Sequence, residues 1–270
     1  MSLQSVINEL SEKVPQAENT YIGEDGLKYC AKHNWPVQVK ITLFGTEKIQ
    51  NCVCKYCREE EEEKKRKDKV EQIRKEVFAG RDMKGWTFEK DDRENEKISD
   101  ALIKYCDNFA EFKAAAKGVL LYGPVGTGKT FLAACVANRL IEKGYSVHIE
   151  KLTDIVERMQ EGYGKTKTVL DELTKYDLLI IDDLGTERDT AFMNEKIFSV
   201  IDARYNVGLP FIITTNLTGE QMQTPKSLEF ERVIDRIFER CIFIKFEGDS
   251  RRRKTLIKEQ GRYKKMLGLD

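Results

Sequence analysis

Three segments of this chain hold residues at the spacing that phosphate chemistry requires. Residues 118–130, GVLLYGPVGTGKT, set Gly123, Gly128, Lys129 and Thr130 in the pattern G-x-x-x-x-G-K-T. Glycines there let successive backbone N–H groups curl around a polyphosphate, and the first turn of a following helix adds partial positive charge. Lys129 would reach the β- and γ-phosphates and the Thr130 hydroxyl would coordinate Mg²⁺. Pro124, Val125, Gly126, Thr127 and Phe131 complete the expected nucleotide-binding stretch. Downstream, residues 177–185 read DLLIIDDLG, a buried strand ending in two carboxylates. Asp182 is the candidate for holding Mg²⁺, and Asp183 for orienting or deprotonating an attacking water. A third apolar run, PFIITTN at 210–216, ends in Asn216, which could hydrogen-bond that water or the γ-phosphate.

A different chemistry sits near the start. Of seven cysteines, Cys30, Cys52, Cys54 and Cys57 lie within 28 residues, whereas Cys106, Cys135 and Cys241 are scattered through apolar segments and read as small buried hydrophobes. Cys30-Ala-Lys-His33 and Cys54-Lys-Tyr-Cys57 are two x₂-spaced pairs suited to tetrahedral Zn²⁺, with Cys52 a fifth candidate for the four positions. The two-residue gap favours Cys54 with Cys57. The first 80 residues are short of apolar mass for an independent core, so a metal would supply much of the folding energy of a small helical module. His148, alone near a strand end, reads as structural.

These groups need elements to hold them. After the cysteines, Glu60–Glu63 each precede Lys64, Lys65, Arg66 and Lys67 by four residues, the favourable order for helical ion pairs. A solvated linker helix follows, ended near Gly80. From about residue 85, short apolar strands alternate with amphipathic helices, the pattern of a mostly parallel sheet covered on both faces. Strands are expected at 118–122, 146–150, 178–182, 211–215 and 241–246, and helices at 97–112, 129–143, 152–160, 166–174, 191–205, 228–238 and 250–266. The expected domains are therefore 1–80, a zinc-binding module with its charged helix, and 85–270, an α/β nucleotide-binding domain.

Composition narrows the partners. The chain has 270 residues, 40% apolar and 34% charged, with 46 basic and 46 acidic side chains, so net charge argues for neither nucleic acid nor membrane and any basic surface must be local. The tail 249–270 is such a place: Arg251, Arg252, Arg253, Lys254, Lys258, Arg262, Lys264 and Lys265 face three acids, a composition suited to sequence-independent phosphate contacts. No apolar run approaches a membrane span and the N-terminus lacks a signal pattern, which predicts a cytoplasmic protein with thiols rather than disulfides.

Taken together, the phosphate loop, the IIDDLG and ITTN strands and the later RVIDRIFERC segment resemble the AAA+ ATPases of the DnaC/DnaI helicase-loader type, over roughly residues 86–262. The resemblance implies a three-layer fold with a five-stranded parallel sheet, and ATP or ADP with Mg²⁺ bound between the subunits of a homo-oligomer. It also implies an arginine donated across the interface. Arg232, ahead of Arg236, matches the segment that carries that arginine, and Arg252 matches a contact to nucleotide from the same subunit. Phage loaders of this type tend to read C-x-C, which favours Cys52 with Cys54 and leaves the fourth ligand open. Many AAA+ enzymes place Glu where this chain has Asp183, so slow or partner-stimulated hydrolysis is expected. The implied function is ATP-dependent loading of a hexameric replicative helicase onto single-stranded DNA, with the N-terminal module docking on the helicase. The alternative is an IstB-type transposition helper acting on duplex DNA with a transposase.

Overall fold

A computed structural model describes residues 19–269 except 44, 163, 186–189 and 226, and within the last helix it describes all side chains but those of 254, 255 and 258. The chain groups into two compact units, Met1–Glu71 and Gln72–Asp270.

The first unit differs from the helical module expected. Its described part holds two antiparallel hairpins, β1 (Thr20–Ile22) with β2 (Lys28–Cys30) and β3 (Gln38–Leu43) with β4 (Thr46–Asn51), before helix α1 (Lys55–Val77) begins. The physical reason is visible in β3, where Val39, Ile41 and Leu43 alternate with polar residues, a period-2 pattern no helix can use. Turn chemistry supports it. The Asp25 carboxylate accepts the Leu27 N–H at 3.0 Å, and Gly26 and Gly45 take the left-handed backbone that tight turns need. In α1 the ion pairs Glu61–Lys65 (2.7 Å) and Glu63–Lys67 (3.5 Å) form as the spacing predicts, but Arg66 pairs with Glu63 three residues back. All are exposed and screened by water, so each contributes little to stability. The division between the units falls inside α1, and Phe78 and Met83, just beyond it, belong to the second unit and are buried.

In the second unit a short 3₁₀ turn (Phe88–Lys90) precedes α2 (Glu96–Asp107) and α3 (Phe109–Ala114). Then come β5 (Gly118–Tyr122), α4 (Lys129–Glu142), β6 (Val147–Lys151), α5 (Leu152–Gln160), α6 (Lys165–Leu173) and β7 (Leu178–Leu184). The chain continues through α7 (Ala191–Asn206), β8 (Phe211–Thr215), α8 (Gly219–Gln223), α9 (Leu228–Arg240), β9 (Cys241–Lys245) and α10 (Arg251–Met266). The sheet is parallel throughout in the order β6-β7-β8-β5-β9.

Alternate strand residues serve opposite faces. Leu120, Leu179, Ile181, Phe211 and Ile213 pack with α5, α6, α7 and α9 in one apolar cluster. Val119, Leu121, Ile180 and Ile212 are equally buried, and α4, with Leu132, Val136 and Leu140 inaccessible, packs along the sheet. The strands therefore lie between helical layers, and their C-terminal ends converge where β5 leads into α4. The single helix expected over 97–112 is broken at Asn108, which has non-helical backbone and ends α2.

Two buried polar residues tie this frame together without any signal in the apolar pattern. Arg204 in α7, inaccessible to solvent, donates to the backbone carbonyls of Leu173, Tyr176 and Pro210, joining the turns that start β7 and β8. Asn138 in α4 donates to the Met83 (3.1 Å) and Trp86 (2.9 Å) carbonyls and so anchors the segment entering the domain. His148 has the structural role expected of it, bonded to Glu150 at 2.9 Å and stacked on Tyr176.

Candidate functional site

The loop between β5 and α4 is shaped by glycines that admit no side chain. Gly123 has φ +133°, and a Cβ there would lie 2.3 Å from the Phe246 carbonyl oxygen. Gly128 has φ +101° and caps α4. Thr127 Oγ donates to the Pro124 carbonyl at 2.9 Å and closes the loop on itself. Because the cap is glycine and the first turn of α4 carries no acid, the N–H groups at this helix start have no side-chain partner and face an opening suited to an anion.

Lys129 is the first residue of α4 and is almost fully buried. Its amine donates to the Gly123 carbonyl at 2.8 Å and the Pro124 carbonyl at 2.7 Å. Burial lowers its pKa to about 8, against the opposing pull of the Asp183 and Asp182 carboxylates. A cation held in place and incompletely compensated is a strong receptor for phosphate oxygens.

Strand β7 delivers the two carboxylates. Asp182 is buried, and its Oδ1 accepts from Thr130 Oγ at 2.8 Å and Thr214 Oγ at 2.7 Å. The Thr130 and Asp182 pair expected to hold Mg²⁺ is thus already in contact, an arrangement that fits a hard cation preferring oxygen ligands. Asp183 takes left-handed backbone, φ +63°, at a register shift between β7 and β8 that separates Ile181 from Leu184. Its pKa is raised by burial and by the adjacent Asp182 charge, which suits a group that accepts a proton.

A cavity of about 440 Å³ has Lys129, Thr130, Asp183 and Asn216 in its wall, while Asp182 touches Thr130 without lining it. Val125, Gly126, Gly128 and Phe131 line it too, as the phosphate-loop pattern predicts. Arg252 lines it together with Arg251, whereas Arg253 is not among the lining residues and is exposed. The Arg251 backbone N–H donates to the Gly126 carbonyl at 2.9 Å, and its guanidinium lies 2.9 Å from Asp92 and 3.4 Å from Glu94. Trp86, Lys90 and Asp92 complete the wall and were not expected, because they precede the first strand and match no phosphate motif. Their only sequence signal is an aromatic and charged stretch at the start of the domain, ahead of β5.

The arginines expected to act across an interface lie elsewhere, on α9. Arg236 is paired with Asp202 at 3.4 Å and sits over the Tyr205 ring at 4.1 Å, while Arg232 is exposed and makes no ion pair with the described residues. Neither lines the cavity of its own chain. In the basic tail the described side chains of α10 are mostly exposed, and those of Lys254 and Lys258 lie outside the described residues. Among the described residues no helix is long and apolar enough to cross a membrane.

In the first unit, Cys30 at the end of β2, His33 in the turn after it, Cys54 before α1 and Cys57 in its first turn bring their ligand atoms within 4.8 Å of one another. His33 Nδ1 is 3.3 Å from Cys57 Sγ, 3.6 Å from Cys54 Sγ and 3.8 Å from Cys30 Sγ, and the Cys30 and Cys57 sulfurs are 3.6 Å apart. Zinc–ligand bonds of about 2.0–2.3 Å imply tetrahedral edges of about 3.5–3.8 Å, so the donor set fits Zn²⁺ in type and size. Burial opposes ionisation of Cys30, yet hydrogen bonds from the His33 and Lys32 backbone bring its thiol down to about 7, while burial and its sulfur neighbours push Cys57 up. Cys52 is outside the set and donates its S–H to the Pro36 carbonyl at 3.4 Å. The alternative with Cys52 and Cys54 as the second pair is therefore not the arrangement seen.

Comparison with known proteins agrees with this geometry. A family model described as IstB-like ATP binding protein matches residues 55–259. The chain is 25% identical to the replicative helicase loader DnaI of Bacillus subtilis (strain 168) over an alignment 272 positions long, which spans 93% of this chain and 84% of that protein. It is 31% identical to the replicative helicase loader DnaC of Escherichia coli (strain K12) over 178 residues, 64% of this chain and 71% of that one. Among solved structures, the crystal structure of DnaI shares the fold with a TM-score of 0.54 at 22% identity, covering 66% of this chain and 98% of its own. That of the DnaC helicase loader gives 0.51 at 26% identity, covering 58% and 92%.

Proposed function

Because the chain belongs to the family of IstB-like ATP-binding proteins, we propose that it is an ATP-dependent loader that delivers a hexameric replicative helicase onto single-stranded DNA. One observation carries the choice within the family. The family model begins at residue 55, whereas similarity to the DnaI loader extends over 93% of the chain and so takes in the unit that holds the Cys30, His33, Cys54 and Cys57 cluster. A helper for transposition would need the ATPase alone to be alike. In this reading the first unit, held by zinc, docks on the helicase and the second binds nucleotide.

At the nucleotide site, the N–H groups of residues 125–130 and the Lys129 amine receive the polyphosphate, the amine exchanging its two carbonyl partners for β- and γ-phosphate oxygens. Thr130 and Asp182 would hold Mg²⁺, and the ion when bound would supply positive charge to offset that of the polyphosphate. Asp183 and Asn216 orient the water that attacks the γ-phosphorus. The P–O bond to ADP breaks as the new one forms, and Asp183 takes the proton. Arg252 contacts the nucleotide from the same chain, and Arg232, exposed on α9, is the side chain offered to a neighbouring copy with Arg236 beside it. The basic face of α10 provides phosphate contacts to single-stranded DNA. Loading is a switch rather than steady work, so a slow Asp183-assisted turnover suffices.

The test uses the full chain, a replicative helicase and circular single-stranded DNA, on which a ring cannot thread from an end. Helicase retained on the circle should rise severalfold with ATP and this protein, and depend strongly on salt. No stimulation, together with ATP-dependent capture of a transposase on duplex DNA, would favour the alternative.

A further inference from the structure

Strand β8 runs Phe211-Ile212-Ile213 through the core and then places a threonine, Thr214, at a position that is still fully buried. Valine would fill that place in a strand as well. The hydroxyl is used twice: it donates to Asp182 Oδ1 at 2.7 Å and accepts the Asp183 backbone N–H at 2.9 Å. Thr214 does not line the cavity, although both residues it grips belong to the proposed site.

We propose that Thr214 is a positioning residue for the magnesium–nucleotide site, one hydroxyl setting the orientation of both neighbouring carboxylates. The inference rests on the nucleotide reading above. Asp182 Oδ1 already accepts two hydroxyl donors, from Thr130 and Thr214, so the carboxylate is pinned at that oxygen, and its other oxygen, which accepts no hydrogen bond among the described residues, is the one offered to the cation's ligand shell. Asp183 is one residue further on, in a left-handed conformation that a residue with a side chain seldom adopts. With the ladder interrupted between Ile181 and Leu184, the bond from its N–H to Thr214 helps hold that conformation, which turns the Asp183 side chain into the cavity wall. Groups that orient metal ligands from behind typically change metal affinity or activity by about 10–100-fold when removed.

The test compares wild type with T214V, T214A and T214S, using a fluorescent ADP analogue in EDTA and in Mg²⁺, Mn²⁺ binding followed by its paramagnetic signal, and ATP turnover. For T214V and T214A, affinity in EDTA should stay within about twofold of wild type, while the gain on adding Mg²⁺, and Mn²⁺ affinity with it, falls about tenfold or more. Turnover should lose kcat rather than raise KM, and T214S should restore all of these to within about threefold because it keeps the hydroxyl. Should T214V prove unfolded, the T214A and T214S pair makes the same comparison. An undiminished Mg²⁺ gain in T214V or T214A, or loss in T214S as complete as in T214A, would overturn the proposal while leaving the nucleotide site standing. A wild-type chain that binds no nucleotide in either buffer would instead overturn the site itself and this role with it.

Discussion

Lys129→Ala is expected to lower ATP affinity and turnover about a hundredfold or more while leaving the fold intact. The two halves of that result have one cause. The amine sits almost fully buried at the start of α4, bonded among the described residues to the Gly123 and Pro124 carbonyls, with its pKa drawn down to about 8. A buried cation with neutral partners contributes little to stability, so its removal should leave the melting temperature nearly unchanged or slightly higher. Arginine should not rescue function, because its planar fork does not fit where a compact ammonium sits. The titration adds a signed check. With a folded pKa near 8 against an ordinary 10.5, the folded chain has released a proton that the unfolded chain still holds between those values. Stability contributed by this group therefore rises with pH across that window. Wild type should gain on K129A from pH 8 to 10.5 in denaturant titrations. A variant that still binds ATP normally would remove Lys129 from the site.

The second large effect concerns the metal. Among the described residues, the apolar cluster of the first unit consists of Cys30, Val37 and Cys54 with Cys57 against it, so most of that cluster is made of the proposed ligands themselves. One buried valine offers about 1.5–3 kcal/mol, whereas structural zinc contributes about 10–16 kcal/mol in zinc-finger peptides. Purified chain should carry one zinc. A strong chelator, or Cys54→Ser, should unfold the first unit and abolish helicase binding, yet leave nucleotide affinity within about twofold, because every group at the cavity lies in the second unit. Cys52→Ser is the control, since its sulfur only donates to the Pro36 carbonyl and serine can do the same. Metal analysis and proteolysis of residues 19–71 would read both variants, and equal damage from Cys52→Ser would move the metal assignment.

What could be read from residue order alone follows a physical line. The phosphate loop was legible because its glycines, lysine and threonine answer to backbone geometry and charge at fixed spacing, and the buried strands because Leu178–Leu184 and Phe211–Thr215 are continuous apolar runs. The first unit has the composition of a helical module, yet its described part is built on hairpins ahead of α1. Its hairpins are short and largely exposed, so only the weak alternation of Val39, Ile41 and Leu43 marked them. The choice among five metal ligands needed three dimensions, since the gap between Cys54 and Cys57 suits a ligand pair only if α1 starts where it does. Thr214, Arg204 and Asn138 left no trace because each acts through atoms distant in sequence, such as the Asp182 carboxylate or the Trp86 carbonyl.

The proposed function depends most on a polyphosphate and its cation meeting at the ends of β5, β7 and β8. A crystal structure of the full chain with Mg²⁺ and a non-hydrolysable ATP analogue tests it directly. Phosphate oxygens should lie on the N–H groups of residues 125–130, with the Lys129 amine released from the Gly123 and Pro124 carbonyls and the cation beside Thr130 and Asp182. Nucleotide bound elsewhere, or Asp182 turned away from an occupied loop, would contradict it.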